Sequence, residues 1–458
     1  MSADAKEFLE KEFLAHQEGF INRWKTFVSF KSVSANPEFD SDCRLCATWC
    51  SKWLQEIGFK SKLLETSSNP VVLGQFEGDK SNPRVLFYGH YDVQPPEPYE
   101  LWESAPFEPE IRNGRLYGRG AQDNKGQVSF VMAALERLIK DNKLTCPLTV
   151  ILEGEEETGS FGLAEKLQEW KSLLSADILM VCDTGALNPD VPCITMGLRG
   201  IFHVEVKLHG PRGDLHSGMF GGVVRNPAME LARILASIHS ADGAITIPGF
   251  YEGIEPPTLE EKSLLAPVQV NLDGLSKRLG CALEGGEKNY SVHERRGLRP
   301  TLEINGLWSG YSGPGSKTII PSFACVKITG RTVRGQDPQK SMELLEKFLQ
   351  EKTPKGTTME LLSSFVGGPA VSLDASSALL KRVKPILEKI SGERVEVTWE
   401  GGSIPVVAEL AKASGAEPLL IGFALDDDNL HAPNESFALK QFKLGFKYAY
   451  QFLKELSA

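Results

Sequence analysis

The residues of this chain best suited to chemistry are carboxylates and imidazoles that follow short apolar runs. His90 and Asp92 close "RVLFYGHYDV", Asp123 stands in "GRGAQDNKG", and Glu156 and Glu157 follow the apolar part of "TVILEGEEETGS". Asp183 ends "ILMVCD", and His431 lies in "DDDNLHAPNE" just after "LLIGFAL". Crowded carboxylates repel, raise one another's pKa and resist burial. The glutamates after Leu152 therefore either splay into solvent at a helix start or meet a cation. Two imidazoles and several carboxylates suit a borderline cation such as zinc or manganese, whereas calcium prefers oxygen alone. The donors also outnumber the needs of a single catalytic zinc, which usually keeps about three protein ligands plus water. Two ions sharing a carboxylate would use them all. A pair about 3.5–4 Å apart clamps attacking and departing oxygens and acidifies a water between them. On that reading one of the adjacent glutamates holds metal and its neighbour takes the water's proton. The others, Glu153 and Glu155, face solvent or the helix start.

Each signal is weak alone. A single strand-end histidine is more often a surface residue than a ligand, and Asp183 could be a helix N-cap. The weight comes from recurrence, and that depends on the elements that position these residues. The apolar runs in "RVLFYGHYDV", "LTVILEG", "ADILMVCD" and "EPLLIGFAL" suit strands of a sheet covered on both faces. Between them, "DNKGQVSFVMAALERLIK" and "FGLAEKLQEWKSLL" carry helical periodicity. Strand–helix–strand repetition predicts an α/β catalytic domain with a mostly parallel sheet flanked by helices. In such sheets ligands bind at the carboxyl ends of the strands, the rim at which all these residues are aimed.

After "GLRG" the texture changes. "IFHVEVKLHG" alternates like a half-solvated strand, "NPAMELARILASIHS" is helical, and residues 241–299 form a long irregular stretch. Strands "TLEINGLWSG" and "FACVKITGRTV", helix "DPQKSMELLEKFLQEK" and strand "TMELLSSFVGG" complete an inserted α+β module. The expected organisation is a first catalytic part at 1–197, an inserted lid at 198–370 and a second catalytic part at 371–458.

The balance of 50 basic against 60 acidic residues, a net charge of −10, disfavours nucleic acid or an anionic membrane as partner. No apolar run is long enough to cross a bilayer, and "MSADAKEFLEKEF" lacks the features of a secretory signal. Eight cysteines are too few for a disulfide scaffold, so a cytoplasmic setting is expected. Cys43, Cys46 and Cys50 fall at i, i+3, i+7, the spacing of one buried helix face rather than of a metal site.

The ordered motifs "GHYDVQP", "GRGAQDNKG", "EGEEETGS", "DLHSGMFGG" and "HAPNE" resemble those of the co-catalytic metallopeptidases that include carnosine dipeptidases, aminoacylases and carboxypeptidase G. Through "CITMGLRG", "SKTIIP" and "EGGSIPV" the chain is most similar to the cytosolic nonspecific dipeptidase branch. The resemblance implies that Asp123 bridges two metals, with His90 and Asp183 on one and Glu157 and His431 on the other. It makes Asp92 the orienter of His90 and Glu156 the general base of a metal-bridged water. His216 in "GDLHSG" would stabilise the oxyanion from a partner subunit's lid, with Thr318 near the substrate. Arg331 and Ser403 would hold the substrate's C-terminal carboxylate, with Arg334 a competing candidate. The implied protein is a homodimeric hydrolase of dipeptides with two zinc or manganese ions per subunit. Removal of an acyl group from N-acyl amino acids would use the same site, and a non-catalytic metal-binding homologue is the third reading.

Overall fold

The computed structural model describes residues 3–265 and 272–457. Its largest sheet has nine strands. Four of them, Leu148–Glu153, Val85–His90, Ile178–Gly185 and Glu417–Ala424, lie side by side and parallel in that spatial order. Antiparallel strands Lys60–Leu64 and Val71–Phe76 extend one edge. Cys193–Leu198 continues the other edge antiparallel to Glu417–Ala424, and pairs in turn with Glu396–Glu400 and Val371–Ser372.

The apolar runs fold as strands because every position of Val85–His90 is buried, as are five of six in Leu148–Glu153. Helices Asp40–Ile57, Lys125–Lys140 and Leu439–Leu456 flank the sheet and share one large core with it. Cys43, Cys46 and Cys50 all lie fully buried on one face of the first of these helices, as their spacing predicts. The expected α/β class with a large, centrally parallel sheet is what forms.

A second sheet has its own core. Thr301–Ser309, Phe323–Thr332, Gly200–His209 and Thr358–Gly368 pair antiparallel in that spatial order. Along Gly200–His209 burial alternates strictly, with Phe202, Val204, Val206 and Leu208 turned inward. Helices Pro227–Ala236 and Pro338–Lys352 cover that inner face with Leu231, Ile234, Leu345 and Leu349. Both helices start at an Asx N-cap followed by proline at the first helical position, Asn226–Pro227 and Asp337–Pro338.

Two expectations need correction. The stretch 161–174 is not one helix but two short ones, Phe161–Lys166 and Lys171–Leu174. Residues 241–299 are less irregular than their composition implies, since they include helices Leu259–Leu265, Leu272–Leu279 and Val292–Gly297. Residues 266–271 of that stretch lie outside the described residues.

Candidate active site

His90 ends its strand fully buried, with Nε2 3.2 Å from Asp123 Oδ1 and 3.7 Å from Asp183 Oδ2. Its other ring nitrogen, Nδ1, sits 3.1 Å from the Asp92 carbonyl oxygen and 3.3 Å from Asp92 Oδ1. His431 Nε2 lies 2.9 Å from Asp123 Oδ2 and 3.5 Å from Glu157 Oε2. Asp123 thus stands between two imidazoles, one on each carboxylate oxygen. Ligand atoms of His90, Asp123 and Glu157 all fall within 4.8 Å of one another.

Asp92 organises the glutamate turn as well as His90. The Glu156 N–H donates to its Oδ1 at 3.2 Å and the Glu157 N–H to its Oδ2 at 3.1 Å. The Ser34 hydroxyl adds a bond of 2.7 Å to the same carboxylate. Glu157 is itself held by Gln94 Nε2 at 2.8 Å from Oε2.

Burial, together with the neighbouring acids, pushes the carboxyls of Glu156, Glu157 and Asp183 well above the usual range. Burial also opposes ionisation of Asp123, but hydrogen bonds from His431 and His90 outweigh it and hold this carboxyl low. The hydrogen bond to Asp123 dominates at His431 and lifts its imidazole to about 9. At His90 burial opposes the charge, yet Asp123 and Asp92 raise the ring well above its ordinary value. Ionising all four acids would require more positive charge than two imidazoles supply. That donor set, nitrogen plus carboxylate oxygen in a largely buried cluster, fits a divalent transition-metal cation.

The loop carrying His431 is tightly tied. Asn429, His431 and Asn434 all adopt left-handed backbone, with φ of 57°, 57° and 62°. Such geometry costs energy and persists only where surroundings enforce it. Strand Ser436–Ala438 pairs with Arg115–Tyr117, and Arg115 forms an ion pair with the buried Asp428. Glu435, fully buried, accepts from Arg119 Nη1 at 2.7 Å and from the N–H groups of Gly120, Gln122 and Asp123 at 3.0–3.1 Å. One carboxylate from the His431 loop therefore fixes the loop that presents Asp123. Asn124 does the same for Asp183, donating to its Oδ1 at 2.7 Å and to the Cys182 carbonyl at 2.8 Å.

None of these supporting residues carried a local signal. Glu435 lies in the same "HAPNE" motif as His431, but its four donors come from a segment more than three hundred residues away. Glu153 departs from expectation outright. It faces neither solvent nor a helix start, but is 1 % exposed, and its Oε1 accepts from Tyr88 at 2.5 Å and Ser160 at 2.9 Å. Burial pushes its carboxyl up to about 8. Glu155 does serve a helix start, accepting the Gly162 N–H at 2.8 Å.

Asp123, Glu156, Glu157, Asp183 and His431 line one cavity, and Ser403 stands on its wall. Arg331 Nη1 donates to Ser403 Oγ at 2.7 Å, and Ser403 donates in turn to the Arg199 carbonyl. Arg331 is half-buried with no ion pair to a carboxylate among the described residues, and burial lowers its pKa. Arg334, the competing candidate, is committed elsewhere, at 2.5 Å to Glu261 and 3.1 Å to Glu255. His216 and Thr318 do not line this cavity. They sit side by side in the second sheet's outskirts, where strand Leu215–His216 pairs with Ile319–Ile320 and the Ser217 N–H donates to the Thr318 carbonyl. His216 is exposed, with Nδ1 accepting the Gly218 N–H at 3.1 Å.

Comparison with known proteins agrees with this geometry. Over 461 residues the chain is 30 % identical to the Cys-Gly metallodipeptidase DUG1 of Saccharomyces cerevisiae, covering 96 % of this chain and 95 % of that one. It is 27 % identical to the Beta-Ala-His dipeptidase of Homo sapiens, over 98 % of this chain and 93 % of that one. The solved structure of the di-peptidase Dug1p from Saccharomyces cerevisiae superposes with a TM-score of 0.84 at 28 % identity, covering 99 % and 98 % of the two chains. Residues 86–455 match the profile described as peptidase family M20/M25/M40, and the chain belongs to that family.

Proposed function

We propose that this protein hydrolyses the peptide bond of dipeptides with a free C-terminal carboxylate, using two divalent ions held by His90, Asp123, Asp183, Glu157 and His431. The observation that carries the reading is Asp123 set between the imidazoles of His90 and His431, with Asp123, Glu156, Glu157, Asp183 and His431 in one cavity with Ser403, the hydroxyl that Arg331 engages. Full-length kinship to metallodipeptidases supports the same activity.

Asp123 would be shared by both ions, His90 and Asp183 completing one site and Glu157 and His431 the other. Zinc or manganese bound there would polarise the scissile carbonyl and lower the pKa of water. Glu156, whose backbone is fixed by Asp92, takes the proton from the attacking water and later delivers it to the leaving amine. Its burial raises its basicity for that task. Arg331 and Ser403 receive the terminal carboxylate, a planar guanidinium and a hydroxyl matched to two oxygens. That contact measures one residue beyond the scissile bond.

His216, from the lid of a second copy, donates to the developing oxyanion with Thr318 beside it. Dimerisation through the lid is supported by its exposed apolar side chains: Met219 is 69 % and Val223 76 % exposed, and Trp308, Leu361 and Phe365 are exposed too. A cytoplasmic setting fits the eight cysteines, all of them free. Among the described residues no helix is long and apolar enough to cross a membrane.

Purified protein supplied with zinc or manganese should hydrolyse simple dipeptides far faster than the corresponding N-acetyl amino acids. Strong preference for the N-acetyl substrates would replace the dipeptidase reading with deacylation. No hydrolysis of either class, with both ions bound, would favour a non-catalytic homologue.

A further inference from the structure

The cavity extends past the metal-ligand cluster along the ends of strands Ile178–Gly185 and Glu396–Glu400 and encloses about 550 Å³. Among the described residues lining it, Arg296 is the single arginine or lysine, facing six acids: Asp123, Glu156, Glu157, Asp183, Glu400 and Asp426. The two acids outside the cluster are already engaged. Asp426 pairs with Arg278 at 2.5 Å, and Glu400 accepts the Gly185 N–H at 2.6 Å. Arg296 has no side-chain hydrogen bond or ion pair with any described residue. Its guanidinium is exposed and acts on the Glu400 carboxyl only through space, without a direct bond, so it is open to a ligand, provided its position is built and not accidental.

Its position is built. Helix Val292–Gly297 starts with a capping box in which Ser291 and Glu294 satisfy each other's backbone N–H groups. The helix ends with Gly297 pressed on Trp399, where an added Cβ would lie 2.4 Å from Trp399 Cβ and from its carbonyl oxygen. Gly401 is likewise close to the Arg296 carbonyl, which a Cβ there would approach to 2.8 Å. Only glycines allow the two backbones to meet so closely, and the contact sets Arg296 beside the segment that carries Ser403.

Three guanidiniums therefore gather near the proposed carboxylate clamp. Arg199 is pushed down to about 10 by burial and by the charges of Arg331 and Arg296. Its own donors are spent on neutral acceptors, the carbonyls of Gly401 and Arg299 and the Thr301 hydroxyl. Arg331 is assigned to the terminal carboxylate. Arg296 is left over.

The scissile carbonyl must sit at the metal ligands and the terminal carboxylate at Ser403, so the C-terminal residue spans the wall between them. A side chain branching from that residue reaches the wall where Arg296 stands. We propose that Arg296 is a specificity-determining residue that pairs with a side-chain carboxylate on the substrate's C-terminal residue, so that favoured dipeptides end in glutamate or aspartate. This inference rests on the dipeptidase reading above.

The test compares Ala-Glu with its isostere Ala-Gln, and Glu-Ala with Gln-Ala, on the metal-loaded protein. The wild type should favour Ala-Glu over Ala-Gln by about tenfold in kcat/KM, carried mainly by KM, as expected for a hydrogen-bonded charge pair. In Arg296→Gln that ratio should fall to about one, and Arg296→Lys should restore part of it through charge alone. A wild-type ratio near one, a ratio unchanged in Arg296→Gln, or a larger preference for Glu-Ala over Gln-Ala would overturn the proposal while leaving the dipeptidase reading intact. Failure to hydrolyse any of the four would overturn both.

Discussion

The two sheets of this molecule break opposite rules. The nine-stranded sheet is apolar and covered, yet His90, Glu157 and Asp183 from its strand ends meet Asp123, from the loop before helix Lys125–Lys140, in a largely buried cluster. The four-stranded sheet is covered on one face by two helices, while Trp308, Phe365 and Leu361 lie exposed to solvent. Buried charge and exposed apolar surface are both costly, and each indicates something to be bound. Under the proposed function the first sheet would bind a pair of cations and the second another copy of the chain. Arg331 joins the two, since it sits on strand Phe323–Thr332 of the lid sheet and bonds to Ser403 beside the catalytic sheet.

The comparison is broken most severely at the strand ends. Glu156→Gln should retain metal and fold while lowering kcat by about a thousandfold, the range expected for loss of a general base. Turnover near that of the wild type would remove Glu156 from the mechanism.

A second test at the same rim uses Glu153, whose carboxyl stands at about 8 against an ordinary 4.5. The folded chain therefore holds this proton more tightly than the unfolded chain does. The stability that comes with the protonated group is complete below pH 4.5 and is lost as pH rises through 8. Glu153→Gln, which cannot ionise, should lack that loss, a difference on the order of a few kcal/mol between pH 4.5 and 8.5. Urea midpoints at the two pH values measure it, and parallel profiles for the two proteins would contradict the assignment.

The residue that links the sheets comes next. Arg331→Ala should lower the ratio of kcat/KM for a dipeptide over its C-terminal amide by about a hundredfold, because only the free carboxylate uses the guanidinium. An unchanged ratio would move the carboxylate site elsewhere.

The smallest effect is expected at the lid. Val223→Glu together with Leu361→Glu should shift the protein from dimer to monomer by light scattering and reduce activity per chain by about tenfold or more, through loss of the oxyanion donor His216. A wild-type protein that is a monomer at every concentration and fully active would contradict both the interface and the role of His216 across it.

The same contrast explains how much was legible in the sequence. The catalytic strands were readable because burial on both faces leaves uninterrupted runs such as Val85–Phe87 and Val150–Leu152, with the charged residues at their ends. Gly200–His209 was readable because one covered face leaves a period of two. The three helices within 241–299 were not, since their six to eight residues span barely two turns, too few for a periodic pattern. The break in 161–174 has no glycine or proline to announce it.

At the site, the residues that would hold metal announced themselves as charges after apolar runs, whereas their supports did not. Glu153 looked like its neighbours because the partners that bury it, Tyr88 and Ser160, come from an adjacent strand and a turn. Arg331 and Arg334 were indistinguishable until the structure paired Arg334 with Glu261 and Glu255. Glu435 and Asn124 act through contacts between distant segments, and nothing in their immediate neighbours encodes that.

The central claim is that the acids and imidazoles gathered around Asp123 exist to hold a pair of divalent ions. It is tested most directly by metal content per chain after exhaustive dialysis, measured alongside hydrolysis of one dipeptide. The expected result is about two zinc or manganese ions per chain, falling below one in Asp123→Ala together with activity. A fully active chain that retains no divalent ion would contradict the account.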